Sequence, residues 1–213
     1  MSELPVIFTD LDGTLLDHDT YSAEAARSVL EKVTARGIPV IPATSKTYSE
    51  VVEFRDSMNL THAFIVENGA ALYVPMDTDI RCPMGSKLFE GYWVREFGVK
   101  RQALCDVLEA LDMNGTYQFK SLTDMRTSEV AEITGLDLAS AKRAQHRLYS
   151  ETLDWRDSEA ALTSFSDVLT GIGFSVSQGG RFVHPMGPNN KGIAAQWFLS
   201  LIHISEPTRR VFI

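Results

Sequence analysis

Two short apolar runs, LPVIFT at residues 4–9 and IPVIPATS at 38–45, flank a segment, 22–36, whose apolar residues recur at helical spacing and which ends at Gly37. Strands this short and continuously apolar are buried on both faces, and a helix between two of them makes a right-handed crossover joining parallel strands. A second helix is expected over 48–58, and AFIVENGAALYV at 63–74 reads as a third strand followed by a turn. Strand, helix, strand, helix, strand with short connections predicts a parallel sheet.

Beyond Pro83 the pattern changes. Helices are expected over 100–111, 127–133, 138–147 and 158–169, YQFKSL at 117–122 reads as extended, and FSVSQGGRFVHP at 174–185 reads as a hairpin turning at Gly179 and Gly180. Glycine supplies the positive φ such a turn requires without steric cost. The expected architecture is therefore α/β: a Rossmann-like parallel-sheet core from residues 1–82 and 184–198, into which an α+β cap domain, 83–183, is inserted.

A chain of 213 residues, 44% of them hydrophobic, can bury a substantial core. Its formal net charge of −8 disfavours nucleic acid or an anionic membrane surface as partner, since both are bound through basic patches. A small-molecule ligand fits better. Cys82 and Cys105 lie far apart without metal-ligand spacing and read as reduced, packed thiols, and none of the five histidines falls at ligand spacing on one helix. No stretch approaches the ~20 apolar residues of a membrane span, so the expected location is the cytoplasm.

The chemistry is concentrated where the first strand runs out, in VIFTDLDGTLLD. In an open parallel sheet, ligands bind beyond the carboxyl ends of the strands, which is where Asp10 is expected. Asp12 lies in the loop just after it, and Gly13 lets the backbone turn. The competing reading is a solvated turn in which Asp and Gly merely break the strand. Two carboxylates this close repel, so a positive group should stand beside them. Mg²⁺ suits such oxygen ligands and would also neutralise a phosphate. One carboxylate can then attack phosphorus while the other serves as general acid and then general base.

The DLDGT segment resembles the first motif, DxDx[TV], of the haloacid dehalogenase superfamily. ATSKT at 43–47 resembles the second motif and PNNKG at 188–192 the third. The resemblance implies Asp10 as nucleophile, Asp12 as acid/base, Thr44 and Lys191 as phosphate-binding residues, and Mg²⁺ as cofactor, held through Asp10 and Asp12. An acid at position 12 favours phosphatase or mutase over ATPase. The ENGA segment at 67–70 and the place of the inserted cap are similar to the Cof-like branch. RLYSETLDW at 147–155 and GGRFVHPMGPNNKG at 179–192 resemble the mannosyl-3-phosphoglycerate phosphatases within it.

That likeness implies hydrolysis of mannosyl-3-phosphoglycerate or glucosyl-3-phosphoglycerate through an aspartyl-phosphate intermediate. Substrate-binding candidates are Lys46, Asn68, Arg147, Ser150 and Arg181; an arginine fork matches a carboxylate in particular. For Lys46, Arg147 and Arg181 the competing reading is a surface cation, and Trp155 reads as core. A broad-range sugar phosphatase or phosphomutase, and a non-catalytic anion-binding fragment, are the alternatives.

The superfamily's fourth motif, GDxxxD or GDxxND, does not occur: the only acid after Lys191 is Glu206, and no aspartate follows Asp167. SLIHISEPTRR at 200–210 resembles a translated sequencing-adapter read, which implies that 199–213 is an artefactual tail and that the core is truncated; a divergent natural C-terminus is the alternative. Without the fourth motif Mg²⁺ is expected to be held weakly and the chain to be nearly inactive.

Overall fold

The first apolar run forms strand β1, Val6–Thr9, and the helical segment after it forms α1, Glu24–Thr34, which buries Leu30. Strand β2, Val40–Pro42, pairs in parallel with β1, Ile7 opposite Val40 and Thr9 opposite Pro42. Helix α2, Tyr48–Ser57, leads to β3, Phe64–Val66, which joins β2 through a parallel bridge between Ala43 and Ile65. The crossover pattern read from the sequence is thus realised over the first three strands. A computed structural model is the basis of this description, which covers residues 5–17, 22–78, 80, 84–113, 115–205 and 211–212. Cys82 and His18 lie outside them.

The chain then reverses through a single 3₁₀ turn, Glu67–Gly69, into β4, Ala71–Pro75, antiparallel to β3. Strand β5, Lys87–Phe89, and strand β6, Tyr92–Glu96, complete an antiparallel ribbon in the order β3-β4-β6-β5. Because β6 pairs with the whole of β4, from Ala71 opposite Glu96 to Pro75 opposite Tyr92, residues 87–96 belong with β3 and β4 in this ribbon. The chain divides into two compact units, 1–46, 51–97 and 190–213 against 47–50 and 98–189. The insertion expected at 83–183 therefore corresponds to a second unit that starts at Gly98 and runs to Asn189. The extended pairing partner of β4 carries no signature in the sequence that assigns it to one sheet or the other.

The second unit is built on an antiparallel sheet in the order β7-β8-β10-β9. Its elements are α3, Arg101–Met113; β7, Phe119–Ser121; α4, Thr127–Thr134; α5, Leu138–Gln145; β8, Leu153–Trp155; α6, Glu159–Gly171; β9, Ser175–Gly179; and β10, Phe182–Met186. Leu104 and Leu108 of α3 and Leu162, Phe165 and Leu169 of α6 pack with Leu153 and Val183 of the sheet. Trp155, expected in the core, is partly buried against it and stacks on Phe119 at 6.2 Å between ring centres. Asp137 caps α5 by accepting from the Ala139 and Ser140 amides, and Ser158 caps α6 by accepting from Ala161. The hairpin over 174–185 is present, with the turn carried by Gly180 at φ 58°.

Back in the first unit, α7, Lys191–Ser205, and β11, Val211–Phe212, complete the description, with β11 parallel to β1. Ala194, Phe198 and Ile202 recur every four residues and pack on Val6, Ile41, Ile65 and Leu72. The helix thus continues past residue 198, where the core was expected to end, and buries Ile202. Among the described residues no helix is long and apolar enough to cross a membrane.

Candidate active site

Asp10 stands immediately after β1, as the apolar run predicts. Its Oδ1 accepts the Leu11 amide at 2.7 Å, and its Oδ2 accepts from Lys191 Nζ at 2.5 Å. Lys191 is the first residue of α7, so a side chain 181 positions away in sequence is brought to Asp10 by the packing of that helix on the sheet. Asn190 caps the same helix, its side-chain oxygen accepting the Ile193 amide at 2.9 Å.

Asp12 sits in the loop that follows. Leu11 is fully buried and its carbonyl accepts the amides of Thr14, Leu15 and Leu16, which closes a tight turn around Gly13 at φ 67°. This turn pins the backbone of Asp12 and leaves its side chain half-exposed. Lys46 Nζ reaches it, 2.9 Å from Oδ1.

The second motif follows β2. Thr44 is fully buried: its amide donates to the Ile65 carbonyl, its carbonyl accepts the Asn68 amide, and its hydroxyl oxygen accepts the Lys46 amide at 3.2 Å. The Lys46 carbonyl accepts the Glu67 amide, so the 44–46 loop is tied to the 67–69 turn at two points. That turn is unusual. Glu67, Asn68 and Gly69 have φ of 45°, 57° and 90°, three successive residues in a region that side chains rarely adopt.

Gly69 explains the turn's purpose. A Cβ built there would lie 2.1 Å from the carbonyl oxygen of Asn190 and 2.6 Å from the Lys191 amide nitrogen, so only glycine lets the turn approach the start of α7 this closely. The ENGA stretch, a family likeness in the sequence, is thus physically the brace between the second and third motifs. Asn190 and fully buried Glu67 are the residues that sequence reasoning passed over. The asparagine preceding the helix was a readable capping signal; nothing local marked Glu67.

Of the expected site residues, Asp10, Asp12, Thr44, Lys46, Asn68 and Lys191 therefore gather in the first unit. Lys46, expected to meet substrate, meets Asp12 in this structure. The others lie in the second unit. Arg147 Nη1 donates to the Ser150 hydroxyl at 2.9 Å, and Ser150 is buried. Arg181 is exposed, with its guanidinium 5.6 Å from the centre of the neighbouring Phe182 ring. Nearby, burial and then the charge of Arg147 hold His184 at about 4, so this imidazole is neutral at physiological pH. Glu151 is fully buried between Arg101, Thr123 and its own neighbour's amide: Arg101 Nε donates at 2.9 Å, the Thr123 hydroxyl at 2.6 Å and the Thr152 amide at 2.9 Å. Burial also pushes the Cys105 thiol up, consistent with an inert packed cysteine.

Among the described residues no three His, Cys, Asp or Glu side chains cluster as a metal site. At the carboxyl end of β1 the groups that could hold a cation are the Asp10 carboxylate and the Asp12 backbone carbonyl, the Asp12 carboxylate being engaged by Lys46. Hard oxygen ligands of this number suit Mg²⁺, which is commonly held by one or two carboxylates together with waters and a substrate phosphate.

Residues 7–82 match the family model described as haloacid dehalogenase-like hydrolase. A glucosyl-3-phosphoglycerate/mannosyl-3-phosphoglycerate phosphatase from Methanococcoides burtonii is 37% identical over 191 residues, covering 90% of this chain and 70% of that protein. One from Persephonella marina is 34% identical over 195 residues, with the same coverage of 90% and 70%. Among solved structures, a haloacid dehalogenase-like hydrolase from Bacteroides thetaiotaomicron superposes with a TM-score of 0.65 at 13% identity, covering 94% of this chain and 77% of its own. A haloacid dehalogenase-like hydrolase from B. subtilis gives 0.61 at 16% identity, with 94% and 79% covered.

Proposed function

Since the chain belongs to the haloacid dehalogenase-like hydrolases and is a phosphoric monoester hydrolase, we propose that it hydrolyses mannosyl-3-phosphoglycerate or glucosyl-3-phosphoglycerate, with Asp10 as the nucleophile. The observation that carries the reading is the joining of three distant motifs at the end of β1: Asp10, the 44–46 loop and Lys191. The names of the two relatives favour the substrate.

In the proposed reaction, an Asp10 carboxylate oxygen forms a bond to phosphorus as the bond to the glycerate oxygen breaks. Asp12 gives its proton to that leaving oxygen. The acyl phosphate is then hydrolysed by water, whose proton returns to Asp12 as its oxygen bonds to phosphorus, releasing inorganic phosphate and restoring both acids. Lys191, already within hydrogen-bonding distance of Asp10, supplies positive charge to the phosphoryl oxygens, and Thr44 fixes the loop beside them. Asp10 through its carboxylate and Asp12 through its backbone carbonyl would hold Mg²⁺, which supplies further neutralisation of the phosphate. In the second unit Arg147 and Ser150 are the proposed contacts for the glycerate carboxylate, since a bidentate guanidinium suits that group. Asn68 and Arg181 are assigned to the polar remainder of the substrate.

The superfamily's fourth motif, which does not occur in the 213 residues, would add acidic ligands to Asp10 and Asp12, so without it the chain is expected to hold Mg²⁺ weakly, to turn over slowly and to saturate only at high Mg²⁺. Phosphate release from the two glycosyl-3-phosphoglycerates, followed against Mg²⁺ concentration, checks this. The expected result is Mg²⁺-dependent release at less than about 1 s⁻¹, below the usual enzyme range. An ordinary rate would refute the weak-site claim, no release above background would refute the function, and return of the phosphoryl group to a second sugar would favour a mutase.

A further inference from the structure

The two acids at the end of β1 each have their own lysine: Lys191 meets Asp10 and Lys46 meets Asp12. The pairs are not equivalent. Lys46 is held as a rigid bracket. Its amide donates to Thr44, its carbonyl accepts from Glu67, and its side chain is only 14% exposed, so its reach to Asp12 is fixed by a braced backbone and a packed stem. Asp12 is the looser partner, with a side chain 40% exposed on a loop whose backbone alone is pinned. An ion pair this open to water contributes roughly 0 to 1 kcal/mol of stability, too little to account for a lysine braced on both sides. Its consequence is orientation: of the rotamers open to a half-exposed aspartate, the Lys46 ammonium selects one.

We infer that Lys46 is a positioning residue for Asp12, directing the carboxyl that handles the leaving-group proton, and is not itself a contact for the glycerate or the sugar. The inference rests on the phosphatase reading above. It makes a prediction that a structural or substrate-binding lysine would not. Protonation by Asp12 matters when the leaving group is a poor one, such as the alkoxide of a glycerate or sugar. It matters little when the leaving group departs readily as an anion, as 4-nitrophenolate does. General acid catalysis is worth about 10² to 10⁴ in rate, and a misdirected acid forfeits part of that.

The test compares the single-turnover rate of leaving-group release, and the concentration that half-saturates it, for the wild-type chain, Lys46→Met and Lys46→Arg on mannosyl-3-phosphoglycerate and on 4-nitrophenyl phosphate, both with Mg²⁺. Lys46→Met is expected to lose about 30-fold or more in this rate on the alkyl phosphate and less than about threefold on the aryl phosphate, with the half-saturating concentration nearly unchanged; the later action of Asp12 on water, common to both substrates, does not enter it. Lys46→Arg, which keeps a charge and a donor, is expected to recover most of the loss. Equal losses on both substrates would overturn the inference in favour of a structural or phosphate-binding role. A rise in the half-saturating concentration on the glycerate substrate alone, with the limiting single-turnover rate unchanged, would overturn it in favour of direct substrate binding. Wild-type protein inactive on both substrates would overturn the phosphatase reading itself, and the Lys46 role with it.

Discussion

Gly69→Ala is expected to lower stability by about 3 kcal/mol and to reduce turnover, although residue 69 carries no functional group. Two costs combine. The new Cβ meets backbone atoms of Asn190 at 2.1 and 2.2 Å, far inside contact distance, and neither belongs to a flexible side chain that could swing away. Overpacking of this kind costs about 1 to 3 kcal/mol. Alanine must also adopt φ near 90°, outside the comfortable range of any residue with a Cβ, for roughly 1 to 2 kcal/mol more. Relief requires the start of α7 to move, and Lys191 moves with it. At about 2 to 4 °C per kcal/mol for a chain of this size, the melting temperature should fall by roughly 10 °C. Thermal unfolding of the variant measures the first effect. A drop of less than about 2 °C would show that the turn and the helix separate at little cost and that the brace is not built as described.

The second large effect lies in the other unit, at Glu151. This carboxylate is fully enclosed, and Arg101 is its counter-charge. Breaking a buried pair by removing one partner leaves an uncompensated charge, at a cost of about 3 to 5 kcal/mol. The Thr123 hydroxyl and the Thr152 amide still donate to Glu151 after the arginine is gone, which places Arg101→Met at the lower end, about 3 kcal/mol. Adding Glu151→Gln should recover part of this, because the neutral amide no longer needs a cation. Denaturant unfolding of the two single variants and the double variant closes the cycle. A double variant as destabilised as the sum of the singles would show that the pair is not coupled.

These two sites also mark where the sequence could and could not be read. β1, α1, β2 and β3 followed from apolar periodicity alone, because strands buried on both faces and a helix with one apolar stripe leave unambiguous patterns. Asp10 was placed at a strand end by the same logic. The ribbon formed by β4, β5 and β6 was not assignable, since nothing in YWVRE states which strand it will pair with, and the second unit consequently begins at Gly98 and not at Pro83. Lys46 could be singled out as a cation beside a hydroxyl, but its engagement with Asp12 depends on how the loop after β2 is tied to the 67–69 turn. The close approach of Gly69 to Asn190 joins residues more than a hundred positions apart, and only the packed sheet brings them together.

The central claim is that Asp10 becomes phosphorylated. The direct measurement is acid quenching of Asp12→Asn during reaction with 4-nitrophenyl phosphate and Mg²⁺, followed by borohydride reduction and peptide mass spectrometry. An acyl phosphate is reduced to the alcohol, so the account predicts homoserine at position 10, and none in a parallel sample carrying Asp10→Asn. Nitrophenolate release by the Asp12→Asn protein with unmodified Asp10, or with the modification at another carboxylate, would contradict it.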